Sequence, residues 1–333
     1  MFQEPGNVTG VCFTSNRKYV FSSGMNFISK WYVPTMKKEM CWKTDIVAGQ
    51  MEISSDDQYL FIGSYVKPYD IAVVDTKTMT TLIKYSGHTN FVNNLKAIRN
   101  LELLITCGSD KKLFFFEMFS GKVIKSYEFN DSARFLLLNR NQTKVLVGTR
   151  GGIISEIAFK NINVIQRKIT VRDEIWSISM DKTEKLLFTG GRQGVWTLDL
   201  ATGNHLLFVC TNRQFIYWLT PVGSKYLLIS SGDSVVTALE NCTTNFRGYP
   251  IDSGKIFQTI VYQGRAYFCC SGNILGTYNY HRIILKHPTF ISKRNYRVLK
   301  ERRIRHTVQF IRSKLHFLPV FLSCEMFFNT FMI

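Results

Sequence analysis

ELLITCGSDKKLFFFE, residues 102–117, reads as two short strands around a tight turn. Leu103 to Cys107 and Leu113 to Phe116 are runs of aliphatic, β-branched and aromatic residues, which fit a pleated, half-buried surface. Between them stand Gly108, Ser109 and Asp110, residues that turns favour. The first half of the phrase recurs along the chain. KYVFSSG starts at Lys18, QYLFIGS at Gln58, KVLVGTRGG at Lys144, KLLFTGG at Lys185, KYLLISSG at Lys225 and RAYFCCSG at Arg265. With the copy at Glu102, successive starts fall 40 to 44 residues apart. Short strands repeated at such a period mark a β-propeller with one blade per repeat.

The flanking residues fill in the blade. In the third repeat Leu95–Ile98 precedes the turn Arg99-Asn100, and Ser120-Gly121 leads into KVIKSYEF. The third strands of the other repeats read FISKWY (27–32), DIAVVD (70–75), IISEIA (153–158), GVWTLD (194–199), SVVTALE (234–240) and NILGTYN (273–279). Polar turns such as Ser15-Asn16-Arg17, Ser55-Asp56-Asp57 and Asp181-Lys182-Thr183 join the first strand of a repeat to the second. A lone four-stranded blade cannot bury both faces, whereas blades stacked in a ring bury each face on a neighbour. The expected fold is therefore all-β: a seven-bladed β-propeller of four-stranded antiparallel blades over residues 1–288. A basic, then apolar, C-terminal tail follows over 289–333. Seven residues precede Val8. The last blade is thus expected either to take its outer strand from Arg282–Lys286 or to be weakly closed, with an edge open to strand addition.

The third repeat resembles a WD repeat. Gly87-His88 stands ahead of its first strand, and TCGSDKKLFFFE (106–117) matches the family's second strand, turn and third strand. The resemblance implies a hydrogen-bonded brace formed by His88, Thr106 and Asp110. Phe116 stands where the family has a Trp donor, and Glu117 where it has Asp. Elsewhere Trp31-Tyr32, Val74-Asp75 and Leu198-Asp199 hold the place of the family's dipeptide. The family implies a non-catalytic platform that binds partner proteins through the loops of one rim.

Charge agrees with protein rather than nucleic-acid partners. The net charge is +18, but +9 of it lies in residues 281–333, where eleven Lys/Arg face Glu301 and Glu325. The body is only mildly basic, so no specific nucleic-acid partner is expected. The eight Cys form no CxxC pair, and several sit in strand runs, so they read as reduced core residues of a cytoplasmic chain. MFQEPGN has no basic and apolar leader pattern.

Neither a catalytic motif nor a metal-ligand spacing stands out, and no cofactor is expected. Gly190-Gly191-Arg192-Gln193-Gly194 reads as a turn, because a phosphate cradle needs a helix behind it. Glu52 and Glu156, the acids on strands, are isolated. The turns between second and third strands carry Lys67, Lys111, Arg150 and Arg192 on successive repeats. Tyr69, beside Tyr65, and Phe91 add aromatic anchors. Such a mixed rim suits an acidic segment of a partner. Two other classes compete. Leu315–Ile333 after a basic stretch resembles a membrane anchor, though Glu325 interrupts it. An enzyme with a central site would need several inward acids or histidines.

Overall fold

The computed structural model describes residues 2–209, 215–223, 226–232, 235–240, 246–250, 255–262, 265–270 and 274–279. Among these the molecule is all-β, with two single turns of 3-10 helix at Arg99–Leu101 and Phe159–Asn161. The chain divides into two units, Met1–Leu285 and Lys286–Ile333. The second unit and the 289–333 tail lie outside the described residues.

In chain order the strands begin with β1 (Phe2–Gln3), β2 (Val8–Phe13), β3 (Tyr19–Tyr32), β4 (Lys37–Ile53), β5 (Tyr59–Ser64), β6 (Ile71–Asp75) and β7 (Thr81–Tyr85). The third repeat gives β8 (Val92–Ile98), β9 (Leu103–Gly108), β10 (Lys112–Glu117) and β11 (Val123–Glu128). The fourth gives β12 (Ala133–Leu138), β13 (Lys144–Thr149), β14 (Ile153–Ala158) and β15 (Arg167–Thr170). The fifth gives β16 (Ser177–Met180), β17 (Leu186–Gly190), β18 (Val195–Asp199) and β19 (His205–Val209). The sixth gives β20 (Ile216–Val222), β21 (Tyr226–Ser231), β22 (Val235–Glu240) and β23 (Phe246–Pro250). The last gives β24 (Ile256–Tyr262), β25 (Arg265–Cys270) and β26 (Ile274–Asn279).

Four antiparallel sheets have four strands in meander order, a fifth runs β1-β26-β25-β24, and a sixth joins β2 to β7. That larger sheet is continuous because β3 and β4 each serve twice. β3 pairs β2 through Val20–Gly24 and β4 through Met25–Tyr32. β4 pairs β5 through Ala48–Ile53. One turn geometry recurs between first and second strands. Arg17 N donates to Thr14 O, Asp57 N to Ser54 O, Gln142 N to Asn139 O and Glu184 N to Asp181 O, at 2.9 to 3.1 Å. All four donors have a left-handed backbone, φ 51 to 61°, which closes a tight hairpin.

The core lies between neighbouring sheets and, in the six-stranded sheet, between its β2–β3 and β4–β7 parts. Cys12, Phe21 and Ile28 pack on Ala48, Leu60 and Val74, and Phe61 and Val73 pack on Leu95 and Phe116. The series continues with Ile105 and Phe115 on Leu136 and Val147, then Leu146 and Ile154 on Ile178 and Leu187. Phe188 and Val195 meet Ile216 and Ile229. The last sheet meets the first: Tyr267 joins Val8, Val11 and Phe13 in one cluster, with the Phe13 and Tyr267 rings edge-on at 4.9 Å. Val11 N also donates to Gln258 Oε1 at 2.9 Å. β24 therefore packs on β2, as each first strand packs on the next.

The outer edge of the last sheet differs from both sequence expectations. β1 pairs with β26, Phe2 opposite Leu275 and Gln3 opposite Ile274. The N-terminal residues supply the fourth strand. Neither expectation named this N-terminal strand, which covers the edge through two residue pairs, and Arg282–Lys286 lies outside the described residues. Two paired residues hold because the next one, Glu4, is anchored in the first sheet.

Candidate partner-binding site

Two polar braces fix the loops ahead of the first strands. His88 stands four residues before β8. Its Nδ1 lies 2.8 Å from Asp110 Oδ2 and its Nε2 2.9 Å from Thr106 Oγ1. Thr89 N donates to the same carboxylate at 3.0 Å. The His88 ring meets the Phe114 ring edge-on at 4.8 Å, while Phe116 is buried against Tyr85 and Phe114. Burial alone would raise the Asp110 carboxyl, but the hydrogen bond and charge of His88 and two backbone N–H groups hold it below the usual carboxylate range.

The second brace was not legible as a motif. Glu4 stands four residues before β2, the place His88 takes before β8. Its buried carboxylate accepts from Ser22 Oγ, from Ser29 Oγ at 2.9 Å and from Trp31 Nε1 at 3.2 Å. Lys38 Nζ reaches Glu4 Oε2 at 2.8 Å and lies 4.7 Å from the Trp31 ring centroid. Trp31 was placed by its dipeptide. The donors around it explain why an acid, not a histidine, meets it.

Turns between second and third strands bond to the loops leading into first strands. Tyr65 N donates to Val47 O, Ser109 N to Phe91 O, Arg150 N to Ser132 O and Gly232 N to Phe215 O, at 2.8 to 3.1 Å. Both loop sets therefore share one end of the sheets. Here the sequence-nominated residues fall into pairs with different neighbours. Tyr69 and Phe91 meet at 5.8 Å between centroids, and Tyr65 joins them at 5.7 Å from Phe91. Arg150 lies 3.7 Å from Glu174, and Arg192 lies 5.9 Å from the Phe215 centroid. Lys67 and Lys111 are exposed at their turns. Among the described residues Lys67, Lys111 and Arg192 have no carboxylate within ion-pair distance.

Sequence reading missed the residues at the centre of this end. The register shifts within the first residues of β2, β8, β12, β20 and β24, and within β4 between Ala48 and Met51. Each shift is a β-bulge, which re-aims a side chain. The residues passed over, Thr9, Asn93, Arg134, Tyr217 and Phe257, with Gln50 and with Trp176 just ahead of β16, line one cavity of about 230 Å³. The signal was a polar or aromatic residue straight after a buried Val, Ala or Ile, but only the register shows that it points inward. Gly49 keeps the wall open for Tyr65, since a Cβ there would lie 2.3 Å from that ring.

Arg134 is the cation among these lining residues. Its guanidinium lies 4.5 Å from the Trp176 ring centroid, and its buried Nε has no hydrogen-bond partner. Burial, then the neighbouring Arg150 charge, pulls its pKa below the usual arginine value. The Asn94 side chain in the same wall is buried, and its Oδ1 also lacks a partner.

Other candidate sites have structural explanations. Glu52 is paired with Lys96 at 2.6 Å and Glu156 with Lys144 at 3.0 Å, so neither isolated acid is free for chemistry. No group of His, Cys, Asp or Glu among the described residues is placed to hold a metal. The glycine-rich turn at 190–194 already has an anion: Gln193 N donates to Asp173 Oδ2 at 2.9 Å. Burial raises the thiol pKa of Cys12 and of Cys107. No helix among the described residues is long and apolar enough to cross a membrane.

No curated protein matches the chain closely enough to count as a relative. Residues 79–117, from the turn ahead of β7 through β10, match the family model described as WD domain, G-beta repeat. A WD repeat is thus present around the His88 brace, and it supports assigning the chain to the WD-repeat family.

Proposed function

We propose that the chain is a seven-bladed propeller, the six-stranded sheet counting as two blades, that acts as a protein-interaction scaffold. Packing of β24 on β2 and pairing of β1 with β26 support a closed ring. Partners dock on the loop-bearing rim through Lys67, Tyr69, Phe91, Lys111, Arg150 and Arg192, and present acidic segments to it. The reading is carried by one observation: exposed cations without partner carboxylates flank the Tyr65–Phe91–Tyr69 cluster. Aromatic anchors beside unpaired cations suit a polar, acidic surface better than an apolar one. WD repeats serve in general as binding platforms rather than enzymes, and a cytoplasmic location fits that role.

A photo-cross-linking amino acid placed at Phe91 tests this in cells. Adducts with other proteins are expected from Phe91 and not from Leu82, which is exposed on the outer strand β7. Adducts from Leu82 with none from Phe91 would move the interface to the blade edges.

A further inference from the structure

We infer that the cavity at the centre of this rim is a pocket for one acidic side chain, an Asp or Glu inserted from the partner segment. This rests on the rim reading and adds to it a single position of specificity. Three observations define the ligand. The cavity, about 230 Å³, holds a side chain and not a folded element. Arg134 faces it with a buried, unpartnered Nε and no carboxylate within ion-pair distance among the described residues. The wall divides into two chemistries. Gln50 offers an amide, with Thr9 and Asn93 held beside it by bonds to Ala48 O and Ala133 O, while Trp176, under Arg134, and Tyr217 present rings.

A guanidinium forks onto a carboxylate with two parallel hydrogen bonds, and poor hydration makes it the cation best suited to partial burial. A cationic ligand is excluded by Arg134 itself, whose charge already covers the Trp176 face. A phosphate dianion calls for converging cations, and Arg134 is the cation among the residues lining the cavity. One monoanion satisfies the site.

Selection from a random dodecapeptide display library on the full chain tests the assignment. Each peptide is fused through its C-terminus, so a recovered acid is a side chain. The wild type is expected to recover peptides sharing Asp or Glu at one register. Replacing that acid by its amide should weaken binding about tenfold to a hundredfold, as loss of a charge-assisted hydrogen bond does. Arg134→Gln should abolish the preference, and Arg134→Lys should retain it in part while showing that the fold tolerates change there. An unchanged acidic register with Arg134→Gln, no shared acid, or no recovered peptide overturns the pocket. Loss of binding in Lys111→Glu/Arg150→Glu/Arg192→Glu with no effect of Arg134→Gln keeps the rim and removes the pocket. The reverse pattern keeps the pocket and removes the rim.

Discussion

Asp110 shows how one carboxylate organises a loop. It joins the turn after β9 to the residues ahead of β8 through His88 and Thr89. Asp110→Asn keeps the shape and loses the charge, so stability at neutral pH should fall by about 1–3 kcal/mol. The pH dependence has a fixed sign. The native carboxyl lies below its ordinary pKa, so its contribution is complete above that value, about 3.9, and is lost as pH falls through the native one. Urea midpoints of wild type and Asp110→Asn should therefore converge below about pH 4. Parallel curves would show that the charge contributes nothing to the fold. This brace was legible because its residues follow a known pattern. Glu4 and Arg134 were not: one substitutes an acid for a histidine, and the other depends on a bulge. A bulge changes which residues face inward without changing composition or alternation.

At the scale of elements, β1 is the test case. Two residue pairs give little ladder energy, so the segment depends on the Glu4 anchor. Glu4→Ala would leave the Lys38 charge and the Ser29 hydroxyl without their carboxylate. A cost of about 1–3 kcal/mol is expected, because the buried Ser29 hydroxyl would lose its acceptor. Amide exchange on β26 should rise as well, since β1 would fray from its edge. Destabilisation with unchanged protection at Ile274 and Leu275 would separate the anchor from the strand. Most strands were legible almost to their ends, but the second and third strands expected in the first repeat form one strand, β3, and β4 runs on into the second repeat. β14 matches the expected 153–158, and β6, β18, β22 and β26 each begin one residue inside the runs read from sequence. Small turn residues and β-branched runs are local signals. The contribution of residues 2–3 to the last sheet is not local, and nothing in FQ announces it.

For the whole molecule, repetition and charge play separate roles. The repeat determines which faces are buried, and the clusters of the core join neighbouring sheets or, in the six-stranded sheet, its two halves. The basic residues of the turns were legible in the sequence, and the structure adds that Arg150 is engaged by Glu174 while Lys67 and Lys111 are exposed. Because rim charges act mainly on encounter rate and its salt dependence, capture of partners should weaken as ionic strength rises. The most direct measurement compares proteins captured from cell extract by the full chain and by Lys111→Glu/Arg150→Glu/Arg192→Glu. Lys182→Glu, in a turn at the opposite end of the sheets, is the control. The account predicts that the triple variant loses most captured partners, that the control keeps them, and that the lost partners carry acidic segments. An identical partner set from the triple variant and the wild type would contradict it.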